Sequence, residues 1–330
     1  MRVIEVLEPG LLTTIQDLGR EGFGPLGVSP SGAADPVGLR IGNRLVGNAE
    51  GAAALEMTLL GGTFRFLMSA VIALTGCHFD ATLDGVPVES WTSLLANMCQ
   101  TLRVGPTRSG ARCYLCVRGG ISVEPFLGSA STHLLSGLGG HEGRALRKGD
   151  VLTIGLGKGG LPPWLPLGVA RHRRRKVAAK ALERLAPQKV LRVTPGPQGD
   201  WFPESAQRIF YESTFRVAEE SNRMGIRLQG AAIPAPAGGE MISEGVALGA
   251  VQVPDGGLPI ILFVEQQTTG GYPKIANVIS ADFQSLGQLR PRDEIRFEQV
   301  DWKKAQALLM EQEKLLASDE WLIEWSDEGR

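Results

Sequence analysis

Short apolar runs, separated by glycine and proline, restrict this chain more than any other feature of its sequence. Glycine (43 residues) and proline (20 residues) occupy about a fifth of the 330 positions, which leaves little room for long uninterrupted helices. Apolar runs of four to six residues are typical of strands. The sequence therefore predicts a mainly β fold. The clearest runs are 63–66, 71–74, 101–104, 151–154, 214–217, 259–264 and 294–297.

Two segments carry the signals of helices. Asp35 can cap a helix that has Pro36 at its first position and ends near Gly47, so we predict a helix over 36–47. Near the other end of the chain, residues 301–317 mix apolar and charged side chains at helical spacing. We expect short peripheral helices around the β structure and a C-terminal helix.

The two halves of the chain echo each other at their opening and closing segments, which favours two related β-domains. We predict a first domain over 1–156, a Gly/Pro-rich and basic linker over 157–188, a second domain over 189–300, and a C-terminal helix and tail over 301–330. The matching pairs are Val3–Val6 before Pro9-Gly10 with Val190–Val193 before Pro195-Gly196, and Leu146–Asp150 with Leu289–Asp293.

The charge of the chain argues against a polyanionic partner. Lys and Arg total 34 and Asp and Glu total 35, a net charge of −1, so no overall positive field would hold nucleic acid. No run approaches the roughly 18 apolar residues of a membrane helix. The first residues also lack the basic and apolar parts of a signal peptide. We therefore expect a cytoplasmic protein that binds neither nucleic acid nor membrane.

The cysteines and histidines do not predict a metal site. Cys113 and Cys116 have the spacing of a CxxC pair, but their segment has a strand pattern, in which residues three apart face opposite sides. Without a secretion signal, the four cysteines are expected to be reduced. The four histidines occur singly along the chain, so we predict no metal.

The first of three candidate functional segments extends from Gln16 and Asp17 to Ser31 and Asp35. Its glycine-rich loops lead into the predicted helix, where free backbone N–H groups and the helix dipole favour an anion. Turn chemistry and helix capping explain Ser31 and Asp35 equally well. Both interpretations stay open from the residues alone.

The second segment is a polar turn that contains Asn222 and Arg223, followed further on by Glu244 and then by Gln252. The guanidinium of Arg223 can bind a carboxylate in a forked geometry. Glu244 can act as a base or can orient the arginine. A plain surface salt bridge is the alternative.

The third segment follows an apolar strand that ends at Val264, and we favour a functional role for it. Gly270 and Gly271 let the backbone approach a ligand closely. Amide, hydroxyl, phenol and ammonium groups can converge around such a ligand. They come from Gln267, Thr268, Thr269, Tyr272 and Lys274.

Several motifs that would indicate other enzyme classes are absent from the sequence. It contains no GxxxxGK[ST] phosphate loop, no strand–GxGxxG–helix unit and no GxSxG elbow. It also contains no Met-Lys dipeptide, so the usual attachment lysine for biotin is missing. A self-contained ATPase, dehydrogenase or serine hydrolase is therefore not expected.

Taken together, nine segments resemble the allophanate hydrolase subunit 2, or biotin-dependent carboxyltransferase-like, family. This family includes a subunit of 5-oxoprolinase and the second half of the urea carboxylase carboxyltransferase domain. The resemblance extends in consistent order from about residue 3 to residue 298. It implies two cyclophilin-like β-barrel domains. The segments are Thr14–Arg20, Gly27–Asp35, Leu45–Asn48, Ala54–Glu56, Gly119–Ile121, Gly139–Arg144, Ser221–Gly225, Ser243–Gly245 and Gln267–Lys274.

The resemblance implies a subunit of an ATP-dependent 5-oxoprolinase, inactive alone, that opens a lactam to glutamate. It implies a partner resembling the family's subunit 1 and a third subunit of the lactam-utilisation type, with ATP used by the complex and no cofactor bound covalently here. We expect Lys274 and Arg223 to stabilise negative charge and Glu244 to handle a proton. Candidate substrate-binding residues are Gln16, Asp17, Ser31, Asp35, Asn222, Gln252, Gln267, Thr268, Thr269, Gly270, Gly271 and Tyr272.

Two alternatives remain open at this point. One is a carboxyltransferase component that uses biotin on a separate carrier and acts on urea or a similar amide. The other is a non-enzymatic antagonist that binds a kinase-inhibitor-like partner. In the enzymatic interpretation, we expect the loops within 16–35 and 267–274 to line one cleft, because small-molecule sites favour domain interfaces.

Overall fold

The computed structural model describes residues 2–155, 174–234, 236 and 241–325. Its strands are β1 (Arg2–Glu8), β2 (Leu12–Gln16), β3 (Ala54–Thr58), β4 (Thr63–Phe66), β5 (Ala70–Gly76), β6 (Phe79–Leu83), β7 (Val86–Pro87), β8 (Ser93–Ala96), β9 (Thr101–Thr107), β10 (Arg112–Val117), β11 (Ile121–Ser122), β12 (Val151–Ile154), β13 (Arg174–Val177), β14 (Val190–Pro195), β15 (Phe215–Val217), β16 (Gly225–Gln229), β17 (Glu244–Gly245), β18 (Ala250–Gln252), β19 (Ile260–Leu262), β20 (Thr269–Gly270), β21 (Lys274–Val278), β22 (Glu294–Gln299) and β23 (Leu322–Trp325). Its helices are α1 (Pro36–Val46), α2 (Ala179–Arg184), α3 (Glu204–Glu212), α4 (Phe283–Gly287) and α5 (Trp302–Ala317). The prediction of a mainly β chain with short helices and a C-terminal helix is confirmed.

The chain divides into two compact units. Among the described residues, the first unit comprises 2–20, 31–155, 174–185 and 316–325, and the second comprises 21–30, 186–234, 236 and 241–315. Each unit is therefore discontinuous in sequence. Of the predicted linker 157–188, residues 157–173 lie outside the described residues, and the remainder contains β13 and α2.

The first unit contains a seven-stranded sheet in the order β11-β12-β1-β4-β9-β6-β7 and a five-stranded sheet in the order β2-β3-β10-β5-β8. Side chains from both sheets form one apolar core, among them Phe64 and Phe66 of β4 and Leu115 of β10. Helix α1 packs against β5 and β10. Its Gly42 lies so close to the sheet that an added Cβ would be 2.5 Å from Thr75 Oγ1. Strand β10 is therefore buried along its whole length.

The two cysteines of the CxxC pair face opposite sides of β10, as the strand pattern predicts. Cys113 belongs to the apolar core, whereas the thiol of Cys116 points to α1, 3.8 Å from the carbonyl oxygen of Leu39. All four cysteines are free. Burial raises the pKa of the nearby Cys77 thiol to about 11. Because Cys113 and Cys116 face opposite sides of β10, their thiols cannot share a ligand or form a redox pair with each other.

The second unit is a closed barrel with the strand order β14-β21-β18-β19-β16-β15-β22. The barrel closes through parallel pairing of β14 with β22, which removes the free strand edges of an open sheet. Helix α3 packs on β22. There the rings of Phe210 and Phe297 stack with their centroids 4.3 Å apart.

The repeated Leu-Arg-x-x-Asp segments form the same turn in both units. The Arg147 N–H donates to Asp150 Oδ2 at 2.7 Å, and the Arg290 N–H donates to Asp293 Oδ2 at 2.7 Å. Burial opposes ionisation of Asp150, but hydrogen bonds from Arg144 and from the Arg147 N–H outweigh it and lower the pKa of Asp150 to about 2. The strand pairing differs, since β1 pairs antiparallel with β12 and β14 pairs parallel with β22.

The last described residues complete the first unit. Strand β23 pairs with β13, and Trp321 is only 2% exposed. The Arg44 guanidinium lies over the Trp321 ring, 4.8 Å from its centroid, and also contacts the Leu316 carbonyl and Asp319. Among the described residues, no helix is both long enough and apolar enough to span a bilayer.

We predict that Trp321→Ala lowers the free energy of unfolding of the first unit by about 3–5 kcal/mol, because it empties a fully buried aromatic site. Trp321→Phe should cost less than half as much, since the indole N–H has no hydrogen-bond partner among the described residues. Denaturant titration of both variants measures this. Equal losses for the two variants would contradict the packing explanation.

Candidate functional site

The strongest candidate site of the second unit is an ion pair between Lys274 and Glu244. The Lys274 side chain, at the start of β21, is only 3% exposed, and its Nζ lies 2.6 Å from Glu244 Oε1. The Glu244 side chain is 45% exposed. A buried ammonium is costly unless a carboxylate compensates it. Glu244 therefore neutralises a buried cation from a position that solvent and ligands can reach.

Two backbone pairings bring these residues together. Strand β17 pairs with β20 in a short ribbon that sets Glu244 opposite Gly270. In the barrel, β18 pairs with β21, so that Gln252 lies opposite Lys274 next to a bulge in the ladder. Glu244, Gln252 and the third predicted segment, which ends at Lys274, thus lie together. We call this group of residues the Lys274 cluster.

Gln252 and Gln267 add amide groups to the cluster. Gln267 Nε2 donates to Gln252 Oε1 at 3.4 Å. Gln252 is 1% exposed, and its Nε2 has no hydrogen-bond partner among the described residues. An added Cβ on Gly270 would lie 2.5 Å from that Nε2. A side chain at position 270 would therefore displace the Gln252 amide from its place in the cluster.

The other predicted residues of the third segment lie around this cluster. The Thr268 carbonyl oxygen accepts a hydrogen bond from the Val246 N–H at 3.1 Å, which extends the ribbon by one contact. Thr269 belongs to β20 and is exposed. Gly271 packs near Ser243, since an added Cβ would lie 3.3 Å from its Oγ. Tyr272 is 45% exposed, so its phenol is available to a ligand.

Gln198 is a member of this cluster that the sequence reasoning missed. Its Nε2 donates to Glu244 Oε1 at 3.0 Å, and its Oε1 accepts from the Lys274 N–H at 3.2 Å. Gln198 follows the repeated Pro195-Gly196 turn, and its place after this turn is the one feature of the sequence that could have pointed to a role for Gln198. Gly196 packs directly on β21, since an added Cβ would lie 2.2 Å from the Lys274 carbonyl oxygen.

The protonation state of Glu244 follows from these contacts. The ion pair with Lys274, and after it the hydrogen bond from Gln198, lower the pKa of Glu244 below 4.5. Because the pKa is lower in the folded chain, these contacts stabilise the folded state above pH 4.5, and this stabilisation is lost as the pH falls through the lowered value. At neutral pH Glu244 is therefore an ionised carboxylate.

Arg223 and Asn222 have other partners. Arg223 Nε lies 2.5 Å from Glu265 Oε1, and both side chains are buried. Asn222 Oδ1 accepts from the Met224 N–H at 2.8 Å, which is typical of an Asx turn. The Arg223–Glu265 pair thus braces the chain two residues before Gln267. The structure gives Asn222 a role in shaping its turn.

In the first unit, the predicted polar residues mainly form hydrogen bonds that hold neighbouring loops together. Asp17 Oδ1 accepts from the Gly19 N–H and from the hydroxyls of Ser129 and Ser131, at 2.6–2.8 Å. Its Oδ2 accepts from the Ala130 N–H at 2.7 Å. Asp17 thus joins two loops of the unit.

Ser31, Asp35 and Gln16 also have structural partners. Ser31 Oγ donates to the Thr132 carbonyl at 2.8 Å, and Asp35 caps α1 by accepting from the Gly38 N–H at 2.8 Å. Gln16 Nε2 donates to the same Thr132 carbonyl at 3.1 Å, while Gln16 Oε1 has no partner among the described residues. That the polar loops of the two units face one cleft stays a prediction.

The comparisons with known proteins agree with this architecture. Residues 26–299 match the family model described as the carboxyltransferase domain, subdomain A and B. The chain belongs to this family. Among its relatives, a 5-oxoprolinase subunit of Escherichia coli is 38% identical over 97% of this chain and 99% of the relative. The matched residues include every member of the Lys274 cluster.

Relatives in this carboxyltransferase family also include much longer proteins. Urea amidolyase of Lachancea kluyveri is 35% identical over 92% of this chain, which spans 17% of that protein. A crystal structure of K. lactis urea amidolyase has a TM-score of 0.84 and 31% identity and covers 97% of this chain, which spans 21% of that one. Among the described residues, no group of three or more His, Cys, Asp or Glu residues can hold a metal ion.

We predict that Asp17→Ala lowers the free energy of unfolding of the first unit by about 2–4 kcal/mol, because it removes a charged acceptor shared by several donors. Asp17→Asn keeps the size and one acceptor oxygen and should lose less. Denaturant unfolding of the two variants checks this. Unchanged stability of Asp17→Ala together with lost substrate binding would make Asp17 a binding residue instead.

Proposed function

We propose that this chain is a subunit of an ATP-dependent 5-oxoprolinase, in which it helps to hydrolyse the lactam of 5-oxoproline to glutamate. The observation that carries the proposal is the match to the 5-oxoprolinase subunit of E. coli, which spans 97% of this chain and 99% of that protein. The urea amidolyase relative is matched over only 17% of its length. The Lys274 cluster is the part of this chain that we propose for the chemistry.

The chemistry of lactam opening fits a buried cation with nearby amide donors. Attack on an amide carbonyl places negative charge on its oxygen, and fixed donors stabilise that charge best where water is excluded. Lys274 Nζ, 3% exposed as a side chain, and the unpartnered Gln252 Nε2 are such donors. In this proposal they bind the carbonyl oxygen of the lactam.

Glu244 has a different part in the proposal. A carboxylate whose pKa is lowered is ionised at neutral pH, so it can accept a proton or a hydrogen bond but does not serve as an acid. We assign Glu244 two roles: it orients Lys274, and it accepts a proton from the attacking water, which is then passed to the nitrogen of the opened lactam. Arg223, whose guanidinium is engaged by Glu265, is assigned support of the segment that carries Gln267.

The proposal includes partners. The E. coli relative is named as one of the subunits of 5-oxoprolinase, which supports a complex, and we expect a subunit 1-type protein and a third subunit of the lactam-utilisation type. ATP is a substrate of the complex. Because this sequence lacks a GxxxxGK[ST] loop, we assign no nucleotide site to it.

We predict that Lys274→Met abolishes or lowers turnover more than about 100-fold, because a fixed charge donor is lost. The fold should be retained, because the carboxylate left without its partner, Glu244, is 45% exposed and stays solvated. The assay combines the chain with its two partners, 5-oxoproline and ATP, and measures glutamate and ADP. Thermal unfolding of the variant checks the fold.

The matched control is Lys189→Met, the same substitution in the same unit. Lys189 is 51% exposed and pairs with Asp293 at 2.5 Å, away from the cluster, so turnover should stay within about twofold because exposed ion pairs contribute little. Full turnover by Lys274→Met would remove Lys274 from the mechanism. A stable wild-type complex without turnover of any lactam or urea analogue would favour a binding protein.

The second candidate is a carboxyltransferase that uses biotin on a separate carrier and acts on urea or a related amide. The specific observation in its favour is the description of the matching family model, together with the urea amidolyase relative at 35% identity. Avidin distinguishes the two candidates. Loss of the reaction in a cell extract on addition of avidin would support the biotin route, whereas an unaffected, ATP-dependent release of glutamate would support 5-oxoprolinase.

A further inference from the structure

One side chain connects both members of the ion pair. Gln198 Nε2 donates to Glu244 Oε1 at 3.0 Å, and Gln198 Oε1 accepts from the Lys274 N–H at 3.2 Å. The Gln198 N–H also donates to the Lys274 carbonyl at 3.3 Å. Gln198 is only 6% exposed. Its amide is therefore fixed on β21 at one end and presented to the carboxylate at the other.

The turn that carries Gln198 is held by contacts of its own. Gln207 of α3 donates through Nε2 to the carbonyls of Gly199 and Phe202, at 3.2 and 3.0 Å. Gly196 packs on the Lys274 carbonyl. The position of Gln198 thus comes from the barrel and from α3, and not from the exposed ribbon that carries Glu244.

Glu244 depends on such an anchor. It belongs to a two-residue strand and its side chain is 45% exposed, so its own surroundings restrict its rotamer only weakly. Among the described residues, Lys274 is the charged group within ion-pair distance of Glu244. The paired strand, Thr269–Gly270, adds no titratable group.

We propose that Gln198 is a positioning residue that holds the Glu244 carboxylate against Lys274 and thereby sets the direction in which the ammonium faces the substrate. The proposal rests on the proposed function for its substrate, but the contact itself belongs to this chain alone. An amide suits the position because it donates to the carboxylate and accepts from the β21 backbone at the same time. Neither an apolar nor an acidic side chain does both.

Two variants separate the two hydrogen bonds. Gln198→Leu loses both bonds, so the pKa of Glu244 rises. Gln198→Glu keeps the acceptor for the Lys274 N–H but places a second carboxylate beside Glu244, so the pKa of Glu244 rises further. Carbon-detected NMR titration of the Glu244 carboxyl in the full chain measures this order without any activity assay.

In the reconstituted complex, both variants should lower kcat about 10- to 100-fold, the effect of losing a hydrogen bond to a charged group. KM should change less than kcat, because Gln198 does not touch substrate in this account. The acid limb of the pH–rate profile should move to higher pH in the same order as the NMR values.

Gln188→Leu is the matched control, since it makes the same substitution in the same unit at an exposed glutamine whose Nε2 donates to the Ala186 carbonyl at 2.7 Å and does not touch Glu244. It should leave the pKa of Glu244 and kcat near their wild-type values. An unchanged pKa in Gln198→Leu, a wild-type kcat in Gln198→Glu, or equal effects of Gln188→Leu would each overturn the positioning role. If the wild-type complex fails to turn over 5-oxoproline, the proposed function fails, while the NMR titration still decides the role of Gln198.

Discussion

The candidate site depends on one electrostatic constraint, the burial of the Lys274 ammonium. Removing an ammonium from water costs several kcal/mol unless a carboxylate and further hydrogen bonds compensate it. Here Glu244 supplies the carboxylate at 2.6 Å, and Gln198 supplies a hydrogen bond to that carboxylate. The pairing of β18 with β21 fixes the backbone position from which the Lys274 side chain extends. The pairing of β17 with β20 fixes the backbone position of Glu244.

The two units use similar polar residues to different ends. In the first unit, Asp17 accepts hydrogen bonds from backbone and side-chain donors on two loops, and Asp35 caps α1. Their hydrogen-bonding capacity is largely consumed inside the fold. Gln16 Oε1 of the first unit and Gln252 Nε2 of the second remain without a partner among the described residues, and the Gln252 amide adjoins an ion pair whose carboxylate, Glu244, is 45% exposed. Spare capacity of this kind is what a polar ligand requires.

The parts of the fold that depend on neighbouring residues can be predicted from the sequence, whereas parts that depend on distant contacts cannot. The same division holds for the residues of the candidate site. The helix at 36–46 follows from a cap, a proline and a glycine, whereas the parallel pairing of β14 with β22 depends on contacts between distant parts of the chain. Lys274 lies in one conspicuous polar segment and is therefore predictable. The contact of Gln198 with the ion pair cannot be predicted in this way. In the sequence, polar residues that bond to each other in the folded chain cannot be distinguished from polar residues that bind a ligand.

The central claim is that the second unit binds the substrate through Lys274. A crystal structure of the reconstituted complex with 5-oxoproline and without ATP, so that the lactam is not consumed, tests it most directly. The account predicts a lactam oxygen within about 3 Å of Lys274 Nζ, the distance of a charged hydrogen bond. A lactam bound elsewhere, with the Lys274–Glu244 pair free of ligand, would contradict it.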